Sequence, residues 1–333
     1  MKVVVLTTSY PRNEHDVAGS FVASAVRGVQ RLGVDVEVVS PATFPDFGIA
    51  YGGGIAQNLR RQPWRLALLA PFLAAYATAA RRAAADADVV HAHWIPSGLA
   101  AFATGKPFVL QVWGTDVELA ARAPVLVRPL LRRARVVIAA SRYLAERARG
   151  LGARDVRIVP AGVKLPAHIA EPAEPPHVLY AGRLSEEKGI RDFLAATDGL
   201  PRVIVGDGPL RGRVPETVGF VPPDGIGALY ERAAVVCVPS RREGYGLVAR
   251  EAMAHARPVV ATRVGGLAEL EGEGAVLVEP GDRIALRAAI EGLLADAGER
   301  RRRGEAARAV ADGWSAARAA AELRAVYEST LAA

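Results

Sequence analysis

The chain is predicted to be an α/β protein built from two doubly wound parallel sheets in series, and three observations carry that prediction. Short Val- and Ile-rich runs alternate with helical patterns. The runs are apolar nearly throughout, as strands covered on both faces are. The alternation also stops at a proline-rich stretch and then begins again.

In the first half the strand candidates are Lys2–Thr7, Val34–Ser40, Ala87–His91, Pro107–Trp113, Arg135–Ser141 and Val156–Pro160. Helical patterns such as Ala18–Leu32 and Pro124–Arg133 lie between them, and that order favours a parallel sheet. Residues 166–176 contain four prolines and no apolar periodicity, which reads as a linker. Strand candidates resume at His177–Ala181, Arg202–Val205, Ala234–Pro239, Pro258–Thr262 and Ala275–Val278. The predicted domains are therefore 1–165 and 177–312, with an Ala-rich helix over 315–333 packing back on the first. A length of 333 residues fits two domains of about 160 each. Two such units would leave a cleft between them. Open α/β sheets bind ligands beyond the carboxyl ends of their strands, so that cleft is the expected active site.

Composition narrows the class. Half the residues (51%) are apolar, enough for a core in each half. The single cysteine, Cys237, lies in an apolar run and reads as a buried strand residue. A disulfide within the chain and a four-cysteine zinc site are both excluded, which fits a reducing compartment. The N-terminal apolar run turns polar at Thr7-Thr8-Ser9, too soon for a signal peptide. The longest apolar stretch, Leu66–Ala80, contains Pro71 and is shorter than the ~18 residues of a membrane span. The expected setting is cytoplasmic, at most peripheral at the inner membrane face, with no nucleic-acid partner.

The net charge of +7 is unevenly spread: residues 1–165 hold 21 Lys/Arg against 11 Asp/Glu, and the remainder 21 against 24. Two readings stand. The basic half faces an anionic acceptor or lipid surface, or the composition reflects an arginine-rich proteome. In the first, Arg60, Arg61, Arg65, Arg81 and Arg82 flank Leu66–Ala80 and would lie along an anionic membrane interface. The alternative is an ordinary helix packed on the sheet with solvated arginines at its ends.

The chemistry concentrates in the second half. After the strand Ala234–Pro239 comes Ser240-Arg241-Arg242-Glu243-Gly244-Tyr245-Gly246-Leu247-Val248-Ala249-Arg250-Glu251, and then a further strand. Gly244 and Gly246 allow a tight turn, and a helix starting near Leu247 offers free N–H groups and a partial positive charge to phosphate oxygens. Glu243 sits in the loop. Glu251, eight residues on, can accept hydrogen bonds from vicinal hydroxyls such as those of ribose. Taken singly, Glu243 reads as a helix cap and Glu251 as a solvated residue; the glycines and flanking strands favour the functional reading. A second strand–loop–helix unit, Val178 to Ile190, places Arg183 and Lys188 at a strand end, where two cations would neutralise a departing diphosphate. Solvation beside Glu186 and Glu187 is the ordinary fate of such a lysine.

These segments resemble one family specifically. Gly182-Arg183-Leu184-Ser185-x-x-Lys188-Gly189, with Glu243 and Glu251 eight apart, is similar to family-4 retaining glycosyltransferases of the GT-B fold, and the likeness covers nearly the whole chain. Gly206-Asp207-Gly208-Pro209-Leu210 and Val218-Gly219-Phe220-Val221 match the family's next two segments, the second bordering the nucleobase. The resemblance implies two Rossmann-like domains facing a central cleft. It also implies transfer of a sugar from a nucleoside-diphosphate sugar, as co-substrate rather than cofactor, to a glycan, lipid-linked or small-molecule acceptor. By the same likeness Arg183 and Lys188 bind the donor diphosphate, Glu243 contacts the donor sugar or phosphates, and Glu251 the ribose. Backbone groups from Tyr245 to Val248 cradle the phosphates, while Gly182, Gly219 and Phe220 line the donor site. Tyr10-Pro11 through Asp16-Val17-Ala18-Gly19-Ser20-Phe21 resembles the family's first loop, where Gly19 brings a helix close to the donor phosphate.

One segment departs from the pattern. Many members carry His-Gly-Ser/Thr-Asp after the fourth strand, and here Trp113-Gly114-Thr115-Asp116 stands instead, keeping Asp116 but replacing the histidine with Trp113. His91 and His93 end the preceding strand and are candidate sugar or acceptor contacts with Trp113 and Asp116, although a strand-end histidine is more often structural. Asp86-Ala87-Asp88 has the spacing of a metal-binding aspartate pair but precedes a buried strand and reads as a turn, so no metal is expected. Rival classes are an NAD(P)-linked oxidoreductase, disfavoured because Thr7–Pro11 lacks G-x-G-x-x-G, and a sugar-nucleotide epimerase, hydrolase or binding module on the same fold.

Overall fold

The computed structural model describes residues 1–332 apart from Glu14, His15, Val17, Gly52, Gly53 and Glu273. It divides into two compact units, Met1–Gly162 with the C-terminal segment from Ala319, and Val163–Arg318.

The first unit begins with β1 (Lys2–Leu6), α1 (Ser20–Arg31) and β2 (Asp35–Val39), then α2 (Ile55–Arg61), a 3-10 turn at Pro63–Leu68 and α3 (Leu69–Ala83). There follow β3 (Val89–His93), α4 (Trp94–Ala103), β4 (Phe108–Val112), α5 (Thr115–Ala120), α6 (Pro124–Arg133), β5 (Val136–Ala139), α7 (Arg142–Gly150) and β6 (Val156–Ile158). Its six strands are parallel in the order β2-β1-β3-β4-β5-β6. β3 lies two residues later than the sequence suggests. Asp86 closes a 3-10 turn and Asp88 accepts the backbone N–H of Lys2, so pairing with β1 starts only at Val89 and places His93 inside the strand. One face packs Val3 and Val5 against Val22, Val26 and Val29 of α1. On the other, α4 packs between α3 and α6, and Tyr76 of α3 donates to Ser97 of α4 at 2.9 Å.

The second unit contains β7 (Val178–Ala181), α8 (Ile190–Ala196), β8 (Arg202–Val205), α9 (Ile226–Arg232), β9 (Val235–Val238), α10 (Leu247–Ala254), β10 (Val259–Thr262), β11 (Ala275–Val278), α11 (Arg283–Ala295) and α12 (Ala297–Ala311). Its sheet is also parallel, in the order β11-β10-β9-β7-β8. Ile190 and Phe193 of α8 share one core with Leu286 and Ile290 of α11, whereas Tyr230 and Met253 belong to the core on the other face. Cys237 is buried in β9. Residues 166–176 form no helix or strand; Ala173 donates to the Arg232 carbonyl at 3.0 Å, and Arg257 donates to the Ala170 carbonyl.

The last helix, α13 (Ala316–Ala332), carries Leu323, Val326 and Tyr327 into the same core as α1.

Candidate active site

In each sheet the connections reverse direction at one pair of neighbouring strands, β1/β3 in the first unit and β7/β9 in the second. The loops leaving the carboxyl ends of such a pair diverge and leave a crevice, the usual ligand position in open α/β sheets.

At the β7/β9 switch point, Lys188 Nζ donates to Glu243 Oε2 at 2.7 Å, and Ser240 Oγ donates to the same oxygen at 3.3 Å. Glu243 is therefore no helix cap, and Lys188 turns away from its acidic neighbours. Glu186 pairs with Arg191 at 2.5 Å, and Glu187 lies 3.8 Å from Arg242. The two loops touch through Gly189, whose φ of +70° is left-handed and whose Cβ, were it present, would lie 1.9 Å from the Pro239 carbonyl oxygen. Only glycine fits there. The Arg241 N–H also donates to the Glu187 carbonyl at 2.8 Å.

Residues that the sequence reading missed hold this geometry. Tyr180 of β7 directs its hydroxyl to the carbonyls of Arg183 at 3.0 Å and Lys188 at 3.4 Å, closing the loop that carries both cations. Burial raises the Tyr180 phenol well above its usual range, so it stays a donor. Asp192, buried in α8, accepts from Arg241 at 2.9 Å and from Arg283 at 2.8 Å, tying the β9–α10 loop to α11. Arg250, also buried, donates to the Tyr245 carbonyl and lies 4.0 Å over the Tyr245 ring. The Tyr245 side chain thus belongs to the packing beneath the loop, leaving its backbone as the part available for phosphate.

α10 begins where expected, at Leu247, with Gly246 as its left-handed N-cap. Its first intrahelical bond runs from Arg250 N to the Gly246 carbonyl, so the N–H groups of Leu247, Val248 and Ala249 precede the helical ladder. Glu251 is not a solvated residue. Its Oε2 accepts from the buried Tyr230 hydroxyl at 2.8 Å, and burial raises its carboxyl while the tyrosine lowers it. One oxygen is thereby engaged inside the protein, where the sequence reading offered both to ribose. Gly182, Gly206 and Gly219 meet through their backbones: Gly182 N donates to Val205 O, and Gly206 N to Gly219 O at 2.8 Å. Phe220, next along, is half exposed. Arg183 is exposed at the end of β7.

The first unit gathers aromatic rings at its own switch point. Trp113 Nε1 donates to His93 Nδ1 at 3.2 Å, Phe21 meets Trp113 edge-on at 4.4 Å, and Trp94 lies 5.8 Å from Phe21. Burial pushes His93 well below the ordinary histidine range, which keeps Nδ1 an acceptor. Gly19 caps α1 with φ +68°, and a Cβ there would lie 2.0 Å from the Ser9 carbonyl oxygen, so the start of α1 is pressed onto the loop after β1. Asp16 bonds Arg12 and the Ala18 N–H in that loop, whereas Val17 lies outside the described residues. Asp116 is buried, and its Oδ1 accepts the backbone N–H groups of Trp113 and Gly114, fixing their turn. His91 is fully buried and hydrogen-bonds Tyr327 of α13 at 2.8 Å, an anchoring position for the terminal helix. Asp86 pairs with Lys2 at 2.7 Å at the amino end of β3, away from the strand ends that carry the site.

Two parallel, doubly wound units of this kind are the GT-B architecture of glycosyltransferases. Sucrose-phosphate synthase from Thermosynechococcus elongatus superposes over 100% of both chains with a TM-score of 0.83 at 22% identity. HepE of Anabaena, solved with UDP-glucose, covers 99% of this chain and 100% of its own with a TM-score of 0.74 at 20% identity. Residues 18–165 match Glycosyltransferase Family 4, and residues 175–296 match Glycosyl transferases group 1. The D-inositol 3-phosphate glycosyltransferase of Acidothermus cellulolyticus is 31% identical over 82% of this chain and 77% of its own length. A Bacillus subtilis glycosyltransferase assigned to teichuronic acid biosynthesis, TuaC, is 28% identical over 87% and 88%. The chain belongs to the family-4 glycosyltransferases.

Proposed function

We propose that this glycosyltransferase moves a hexose from a nucleoside-diphosphate sugar to a hydroxyl of a glycan, lipid-linked or small-molecule acceptor. Configuration is retained and neither metal nor cofactor takes part. The reading rests on one observation above the others, the Lys188–Glu243 pair at the β7/β9 switch point. An ammonium group has three N–H donors. With one on Glu243, we assign the others to diphosphate oxygens, joined by the exposed Arg183 and the first-turn N–H groups of α10. As the sugar–phosphate bond breaks, negative charge grows on the diphosphate, and fixed cations and dipoles stabilise it without reorganising. Glu243 Oε2 holds the lysine, and we assign Oε1 to a donor-sugar hydroxyl. Glu251, held by Tyr230, is assigned to the ribose, and Phe220 to the nucleobase.

Metal independence is proposed because Lys188, Arg183 and the start of α10 supply the charge that a metal would otherwise carry. Retention is proposed from family membership, with the acceptor attacking from the leaving-group face. The first unit is assigned to the acceptor, with Trp113, Trp94 and Phe21 as the contact surface and the buried His93 holding Trp113 in place. We assign the protein to the cytoplasm, at most peripheral at the inner membrane face. The names of the relatives support a nucleotide-sugar donor: HepE was solved with UDP-glucose. Diphosphate release measured with and without acceptor tests the reading, after a thermal-shift panel of nucleoside diphosphates identifies the base. Release that ignores every acceptor makes the protein a hydrolase, and a nicotinamide fluorescence response would instead indicate an oxidoreductase.

A further inference from the structure

The apolar stretch Leu66–Ala80 is not free to enter a membrane. It divides into a 3-10 turn and α3, and α3 buries Phe72, Tyr76 and Ala80 against its own unit. Two of the flanking arginines are engaged as well: Arg65 donates to the Gly48 carbonyl, and Arg81 to the Ala103 carbonyl at 2.8 Å. The fractionally most exposed large apolar side chains among the first unit's described residues lie elsewhere. Val125 and Leu126, in the first turn of α6, are 78% and 79% exposed, above Trp64 at 64% and Leu66 at 58%.

α6 buries Leu130 and Leu131. At 3.6 residues per turn its outward side carries Val125, Leu126, Pro129, Arg132 and Arg133 together, with Arg122 just ahead of the helix. The arginines on this side are exposed. Between Glu118 and Glu146 the chain has six arginines and no acidic residue, and Arg122, Arg132 and Arg133 among them are exposed. Apolar side chains projecting from a turn ringed by arginines suit an anionic lipid surface: the apolar pair enters the headgroup boundary and the guanidinium groups meet phosphates. A soluble acidic protein would be met by the charge, but two such exposed branched side chains would gain little from it.

We propose that the α5–α6 corner, through Val125, Leu126, Arg132 and Arg133, docks the protein on anionic lipid bilayers. Docking needs no donor and no turnover, so its test is independent of the transferase assignment. The full-length protein is floated with phosphatidylcholine vesicles, with and without phosphatidylglycerol. Val125→Ser/Leu126→Ser, Arg132→Gln/Arg133→Gln and Trp64→Ser/Leu66→Ser are compared with it, after circular dichroism melts confirm that each folds. The native chain is expected to float with the phosphatidylglycerol vesicles and to be released by salt. Neutralising two arginines should weaken binding about thirtyfold. The serine pair in α6 should weaken it by roughly tenfold or more, and the Trp64/Leu66 pair should change little. Equal recovery on both lipids, recovery on neither, or loss only in the Trp64/Leu66 variant overturns the proposal. Self-association abolished by Val125→Ser/Leu126→Ser would give the face to a second copy of the chain and overturn it too.

Discussion

Lys188 and Glu243 lie 55 residues apart in sequence and 2.7 Å apart in space, because β7 and β9 are neighbours while β8, between them in sequence, lies at the sheet edge. Replacing Lys188 with Ala removes one cation from the assigned diphosphate position. A rate loss of about a hundredfold to a thousandfold is expected, as for removal of one preorganised donor. Glu243→Ala should cost less in donor affinity than in turnover, and the double variant should fall well short of the summed losses because the two side chains act as one unit. Steady-state kinetics on the four proteins checks this. Strict additivity would separate the residues.

Glu251 joins binding to stability with opposite signs. Its folded carboxyl is raised by burial, so between the unfolded and folded values the native state holds more protons than the unfolded one. Stability therefore falls as pH rises through that window, and the cost is fully present above the folded value. Glu251→Gln keeps an acceptor for Tyr230 and removes the charge. It should melt higher than the native chain at pH 7 while binding nucleoside diphosphate roughly tenfold to a hundredfold more weakly. Tyr230→Phe removes the hydroxyl that lowers the carboxyl, so nucleotide affinity should begin to fall at a higher pH on acidification. Calorimetry across pH reads both effects, and unchanged affinity in Glu251→Gln would remove the ribose assignment.

The sheets were legible in the sequence because parallel strands buried on both faces are continuous apolar runs, and all eleven candidates end within two residues of the observed strands. Only one strand is shifted by that much at both ends. β3 is displaced because Asp86 and Asp88 bond Lys2 instead of ending a loop, and that depends on which strand is adjacent. Arg183, Lys188, Glu243 and Glu251 were singled out by motif spacing, and the structure brings Lys188 and Glu243 together. Tyr180, Asp192, Tyr230 and Arg250 were not. Each sits at an ordinary core position of a strand or helix, and its partner lies on another element or across a loop. A buried Asp in α8 or a buried Arg in α10 is a signal, but only burial reveals it.

Gly189→Ala tests whether the two strand-end loops depend on one close contact. The left-handed backbone alone costs about 1–2 kcal/mol for a residue with a Cβ, and the 1.9 Å approach to Pro239 O adds a clash with backbone that cannot rotate away. Denaturant unfolding should show a loss larger than the conformational term, and donor affinity should fall with it as Lys188 and Glu243 separate. A variant of native stability and affinity would show that the loops are set by other contacts.

Chelation bears on the charge assignment. If Lys188, Arg183 and the start of α10 carry the leaving-group charge, transfer continues in excess chelator. Activity lost to chelator and restored by magnesium or manganese would reassign that role to a metal.

His91 links the terminal helix to the pH dependence of the fold. Burial pushes its pKa down to about 3, with Gln111 acting in the opposite direction. With an unfolded value near 6.5, the native state holds fewer protons than the unfolded one between those limits. The stability supplied by neutral His91 is thus complete above about pH 6.5 and is lost as pH falls towards 3, by at most about 1.4 kcal/mol per pH unit. Asp116 and Glu251, raised by burial, act in the opposite direction, so the total curve mixes signs. A difference measurement separates them: the stability gap between the native chain and His91→Gln should narrow steadily between pH 7 and 4.5. Tyr327→Phe leaves a buried ring nitrogen without its partner and should cost about 1–3 kcal/mol at pH 7. It leaves the histidine buried, so its stability should still decline on acidification. A gap between native and His91→Gln that stays constant with pH would mean that His91 does not titrate between the two states, and the anchoring of α13 would then contribute nothing to acid sensitivity.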